Sequence, residues 1–172
     1  RLRSRGLGDV YKRQLVDVQY GKTEGNTQHP VFGIAASDED LDTIRTTLKK
    51  KGIEFEDISE DDDVRFRMIH YQPELCQHPL FVHIEFPERA GAFLDFMERI
   101  ADLASLCYFN YTYTGERVGR ALVGMEFDTA EDRETIRKRM GAFSKNIIRS
   151  IREISPEAFQ RIMGSRQLTG NH

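Results

Sequence analysis

One stretch constrains the fold more than any other: Leu80 to Phe127, LFVHIEFPERAGAFLDFMERIADLASLCYFNYTYTGERVGRALVGMEF. It opens with strict alternation. Leu80, Val82, Ile84 and Phe86 point one way and Phe81, His83 and Glu85 the other, the period of a strand with one buried face. Pro87 stops that strand and Gly91 frees the backbone for a tight turn. The period then lengthens. Between Gly91 and Ala104, the residues Phe93, Met97, Ile100, Ala101 and Ala104 share one helical face, with Glu98 and Asp102 opposite. Two strands are expected next, Leu106 to Thr114 and Val118 to Phe127, turned at Gly115-Glu116. A helix capped by Asp128 or Thr129 follows, with Ile136, Met140 and Phe143 inward, then a last strand from Asn146 to Ile154. The order β-α-β-β-α-β is the split β-α-β or ferredoxin-like arrangement: an α+β fold, an antiparallel sheet with helices on one face.

The chain before Leu80 reads in similar units. Leu15 to Lys22 alternates as a strand through Val16, Val18 and Tyr20, and Val31 to Ala36 is a short apolar strand. Ser37 caps a helix, with Asp40 three residues on. Asp38, Glu39 and Asp40 suit its positive end and Lys49, Lys50 and Lys51 its negative end. Leu41, Ile44 and Leu48 form its stripe, and Gly52 suits the position after it. Ile53 to Ile58 is expected as a strand. VRFRMIHY alternates, yet Ser59 with Asp62 makes a capping box, and Val64, Met68 and Tyr71 share a helical face. A helix is expected over Ser59 to Gln72, with a linker over 73–79. Ser155 caps a short closing helix, with Pro156 at its first position and Gly164 after its end. Residues 165–172 form a polar tail. Residues 1–14, RLRSRGLGDVYKRQ, are basic with little periodicity, and DVYKRQ reads as a translated transposase adaptor. They are expected to be a non-native, disordered peptide.

A repeat is hidden in this order. Tyr20 and Tyr111 stand 91 positions apart, and so do Gly33 and Gly124, and Ser37 and Asp128. Later the offset becomes 96, from Ile58-Ser59 to Ile154-Ser155. The chain therefore reads as two copies of one unit, over 15–72 and 80–164. The counterparts of Leu80 to Ala104 belong before Leu15, where the adaptor-like peptide stands. The first copy is thus expected to be truncated, with ladder groups of its flanking strands left unpaired.

An apolar share of 39% in 172 residues supplies a core. The net charge of −3 gives no global attraction to nucleic acid or anionic lipid. There is no membrane-length apolar run and no secretory signal. Cys76 and Cys107 are too few for a disulfide framework, so a cytoplasmic setting is expected. Cys76, His78 and His83 match no zinc spacing, and Asp61-Asp62-Asp63 lacks the Gly and Glu of a calcium loop. No metal is expected. The β-α-β-β-α-β order also occurs in RNA-recognition modules, but the third strand, GRALVGMEF, offers only its terminal Phe for base stacking.

FPERAGAFLDFMERIADL followed by FNYTYTGERVGRALVGMEF, with His78-Pro79-Leu80 just ahead, resembles the C-terminal regulatory region of biosynthetic threonine dehydratase (threonine ammonia-lyase). That region carries two ACT-like units in tandem. Its pattern reads FPE-x-PGAL-x-x-FL, F-x-YR and GR-x-L; here Ala90 replaces the Pro and Thr112 the Arg. The resemblance covers about Leu15 to Gly164. It implies a parent enzyme that uses pyridoxal phosphate to deaminate threonine to 2-oxobutanoate, on the way to isoleucine. The catalytic domain would precede this region, so no catalytic residue, cofactor or metal falls in this chain. Isoleucine would inhibit and valine activate, in a parent that is a homo-oligomer, a tetramer. Nucleic acid and membrane are not among the implied partners.

The corner from Pro87 to Ala92 joins a strand to a helix N-terminus, a place fit for a carboxylate. Glu88, Arg89, Gly91, Ala92, Phe93 and Leu94 are its candidate effector-binding residues. Glu88 offers an acceptor for an ammonium group; Phe93 and Leu94 offer an apolar wall. The resemblance adds Tyr111 and, by the repeat, Tyr20. A turn that only packs, and tyrosines buried with bonded hydroxyls, account for the same residues. A stand-alone amino-acid-binding or dimerisation module remains the other functional reading.

Overall fold

The computed structural model describes residues 14–24, 29–61, 72–89, 91–113, 118–155, 157–158 and 161. β3 (Leu80–Pro87) keeps the alternation of its sequence, with Leu80, Val82, Ile84 and Phe86 buried. It pairs antiparallel with β5 (Val118–Phe127) on one edge and β6 (Ser150–Glu153) on the other. β4 (Ala104–Tyr113) takes the far edge of β5, so β5 separates the parallel strands β3 and β4. That insertion is the split β-α-β pattern. β1 (Gln14–Gly21) pairs antiparallel with β4, and β2 (Val31–Ala35) with β1. The result is a six-stranded antiparallel sheet, β2-β1-β4-β5-β3-β6, with helices on one side. The fold is α+β and ferredoxin-like, as the sequence implied.

α2 (Ala92–Ile100) and α3 (Ala130–Gly141) cover the buried face of the sheet. Phe96, Ile100 and Ile136 meet Val82, Ile84, Val123, Met125 and Phe109 there, all of them buried. Thr129 rather than Asp128 caps α3, its hydroxyl accepting from the Asp132 N–H at 3.1 Å. Ser37 does the same for Asp40 at 3.2 Å in α1 (Asp38–Lys50), which buries Ile44 and is followed by Gly52 at φ 67°. Among the described residues no helix is long and apolar enough to cross a membrane.

Four expectations need correction. α2 stops at Ile100, and Ala104 is already strand, paired with Phe127; ladder bonds win over a further helical turn. Its buried stripe is Ala92, Phe96 and Ile100, with Phe93 and Met97 half-buried beside it, so Phe96 was wrongly left off the inner face. Ile53 to Ile58 forms no strand, and Ile53 and Phe55 are each 38% exposed. Its counterpart β6 is held by β3, and among the described residues no strand lies along the outer edge of β2 to do the same. The last strand is four residues, not nine. Before it, the Ile147 and Ile148 N–H groups turn back onto the Ser144 carbonyl, which drops both side chains into the core.

β1 begins at Gln14, one residue ahead of its expected start. Most of the helix expected over 59–72, the Gly115-Glu116 turn, residues 1–13 and the tail lie outside the described residues. So does much of the closing helix, although the Ser155 hydroxyl accepts from the Ala158 N–H at 3.1 Å.

The repeat is written into the backbone register. Leu15 pairs with Ile34, then the register slips and Asp17 pairs with Gly33 and Val18 with Phe32. Ninety-one residues on, Leu106 pairs with Met125, the register slips, and Tyr108 pairs with Gly124 and Phe109 with Val123. Both copies thus carry the same bulge, at Val16 and at Cys107. Across the joint, Val18 pairs with Tyr111 and Tyr20 with Phe109. The 91-residue offset maps one pair onto the other, so a local two-fold axis passes through the pair Gln19–Asn110.

Gly124 lies under the Phe81 ring, and a Cβ there would fall 2.9 Å from the Tyr108 Cβ. A Cβ at Gly141, the last residue of α3, meets nothing within 4 Å. Urea unfolding should therefore separate two identical changes. Gly124→Ala should cost about 1–3 kcal/mol by overpacking. Gly141→Ala should be neutral or gain up to about 1 kcal/mol from helix propensity. Equal effects would contradict the described packing of β3 on β5.

Candidate functional site

The corner after β3 is shaped by its backbone. The Arg89 N–H donates to the Pro87 carbonyl at 2.8 Å, and the Ala92 N–H to the Arg89 carbonyl at 3.3 Å. Gly91 is the cap of α2 at φ 81°, a left-handed conformation that glycine adopts without strain. It brings no side chain to cap the first turn, while its carbonyl accepts from the Asp95 N–H at 2.9 Å. The positive end of α2 therefore faces the corner without a capping side chain.

Arg89 fastens the corner down. Its Nη2 meets Asp95 Oδ2 at 2.6 Å, and its Nε donates to the Asn146 carbonyl at 3.0 Å. The guanidinium thus ties the turn to α2 and to the loop before β6. Glu88 is exposed; Leu94 is half-buried.

Beneath the corner lies an aromatic floor. Phe86, the last inward residue of β3, touches Phe93 at 6.0 Å, Phe96 at 5.6 Å and Tyr111 at 6.3 Å between ring centroids. Phe93 also packs on Phe109 at 4.8 Å. The Tyr111 ring covers Gly119 so closely that a Cβ there would push the phenol aside. Phe93 and Tyr111, remote in sequence, are therefore brought together on Phe86. Tyr20 lies on the same face one strand further on, paired with Phe109. The two tyrosines sit on neighbouring strands, on either side of the local two-fold axis.

The hydroxyls differ in setting. Tyr20 is 5% exposed, and its ionisation is pushed up to about 12, first by burial and then by Cys107, Glu126 and Cys76 nearby. Tyr111 is half-buried and is pushed up by burial and then by Tyr113. Beside Tyr20, Lys22 Nζ binds Glu126 at 2.6 and 2.8 Å and the Leu75 carbonyl at 3.0 Å. No local pattern announces that junction, whose partners lie 104 residues apart. Phe86 and Phe109 were legible only as core and motif residues; neither was nominated for the site.

Among the described residues no three His, Cys, Asp or Glu side chains converge as metal ligands. The described lysines do not fit pyridoxal phosphate either. Only Lys22 is drawn in from solvent, and it is committed to Glu126.

Residues 76–150 match the family model of the C-terminal regulatory domain of threonine dehydratase. That stretch, 75 of the 172 residues, is similar to this family. No curated protein matches the chain. The threonine dehydratase regulatory match runs from Cys76 in the linker to Ser150 at the start of β6. It takes in the corner, the aromatic floor and Tyr111. Tyr20 and the rest of β1 and β2 lie outside it.

The raised ionisation of Tyr20 makes a signed prediction. Below about pH 10 the phenol is neutral in both folded and unfolded chains, and its contribution is fully present. Above that the unfolded chain ionises first, so stability falls until the folded phenol ionises near 12. Two units amount to about 3 kcal/mol. Between pH 8 and pH 11.5, Tyr20→Phe should lose roughly 2 kcal/mol less than the unmodified chain in urea unfolding. Equal losses would show that Tyr20 is not held as described.

Proposed function

We propose that this chain is the allosteric regulatory region of a cytoplasmic, pyridoxal-phosphate-dependent threonine ammonia-lyase, and that it binds isoleucine as inhibitor and valine as activator. The observation that carries this is the regulatory-domain match at 76–150, which brackets the corner. The attached enzyme, a homotetramer, converts threonine to 2-oxobutanoate and ammonia in the branched-chain amino-acid route. Its chemistry belongs to a catalytic domain, and none of the residues described above takes part.

The corner has the groups that a small branched amino acid needs. Its carboxylate meets the positive end of α2, at Gly91 to Leu94. Its ammonium meets Glu88. Its branched side chain lies against Phe93 and Tyr111 on Phe86, where burying each CH2 adds about 0.8 kcal/mol. Arg89 holds the turn in shape. Tyr20 belongs to the other copy, over 15–72. Inhibition follows if isoleucine binds one arrangement of the two copies more tightly than the other, since an effector shifts an equilibrium only by its differential affinity.

Isothermal titration with L-isoleucine and L-valine tests this directly. Saturable heat is expected from both, with alanine far weaker because it lacks the branched side chain. Heat from neither would contradict the proposal. Equal heat from alanine would contradict the apolar wall.

A further inference from the structure

The two cysteines of this chain lie 31 positions apart in sequence, and the fold gathers them at one place. Cys107 occupies the bulge of β4 and is fully buried. Cys76 follows a short 3-10 turn, Pro73–Leu75, and is half-buried. Lys22 bridges them. Its main-chain N–H donates to the Cys107 carbonyl at 2.7 Å, and its Nζ to the Leu75 carbonyl, the one bonded to the Cys76 nitrogen, at 3.0 Å. On the other side of Cys76, the Gln77 N–H donates to Glu126 at 3.2 Å, and the Gln77 carbonyl accepts from the Phe127 N–H at 3.0 Å. Both neighbours of Cys76 are therefore pinned to the strand ends beside Cys107. Cys76 Sγ donates to the Gln72 carbonyl at 4.0 Å, the Cys76 side chain is close enough to raise the ionisation of Cys107, and both are free thiols.

We propose that Cys76 and Cys107 form a reversible disulfide that fastens the connection between the two copies to the sheet. The oxidant class is a small-molecule disulfide such as oxidised glutathione. The thiolate of Cys76, the less buried of the two residues, attacks one glutathione sulfur and expels the other as a thiolate. Cys107 then gives up its proton and attacks the Cys76 sulfur, expelling the second glutathione. The protein loses two protons and two electrons, and one glutathione disulfide becomes two thiols. The neighbouring Cys76 side chain, and then burial, raise the Cys107 ionisation, which makes the second attack the slow step. The bond closes the loop that spans the linker, β3 and α2, and sits beside Tyr20, Lys22 and Glu126. A regulatory signal crossing between the copies would pass through that junction. The disulfide does not depend on any effector, so its test stands apart from the titration above.

The test uses the full chain at pH 8 with excess oxidised glutathione. Free thiols are then blocked with N-ethylmaleimide and the unreduced digest is read by mass spectrometry. Maleimide uptake should fall from two thiols to none under denaturing conditions. A cross-linked Cys76–Cys107 peptide should appear, in a protein two hydrogens lighter, and dithiothreitol should reverse both. Cys76→Ser should abolish the cross-link and leave Cys107 fully labelled once unfolded. This variant keeps the test sound even if the buried Cys107→Ser fails to fold. Two free thiols, glutathione retained on Cys76, or chains joined through Cys76 would each overturn the proposal.

Discussion

The antiparallel pairing of β1 with β4 is the contact on which the rest depends. Without it the second copy is a four-stranded sheet with β4 at its edge, and β1 with β2 is a strand pair with nothing to extend. An isolated two-stranded hairpin is marginal in water. The pairing makes one sheet of six strands and places Val18 and Tyr20 in the same core as Phe109. It is also where like meets like. Equivalent strands of two copies face each other across Gln19–Asn110, with their bulges set symmetrically at Val16 and Cys107.

The polar junction at the end of that pairing fixes position more than it adds stability. Lys22 and Glu126 have side chains 23% and 16% exposed, and a half-buried ion pair gives back in desolvation much of what it gains in attraction. What it supplies is registration. One ammonium ties the end of β1, the linker at Leu75 and the end of β5. The aromatic floor plays the corresponding part at the other end of β3, where Phe86 holds Phe93 and Tyr111 together under the corner.

Much of this was legible in the chain. Alternation in β3 named its buried face residue by residue, because a single edge-to-core sheet face leaves only one register. The repeat offset, read from Tyr20, Gly33 and their partners, predicted a register that the backbone keeps down to the bulge. The failures have a common cause. Ile53 to Ile58 has a strand-like sequence, but a strand needs a neighbour, and local pattern does not report one. Phe96 was missed because a helix facing a sheet buries a broad stripe, not one line of residues. Within the candidate site, the shape of the corner was legible through turn chemistry, with Gly91 left-handed at the head of α2. The clamp by Arg89 on Asn146, and the placing of Phe93 and Tyr111 on Phe86, depend on tertiary contacts between remote segments.

The most direct test is where an effector touches the chain. Backbone amide shifts recorded with 15N label during titration with L-isoleucine should be largest from Arg89 to Leu94, and should extend to Tyr111 and then Tyr20. Shifts confined to α1, α3 or the β2 edge, with Arg89 to Leu94 unmoved at saturation, would contradict an effector site at the corner between β3 and α2.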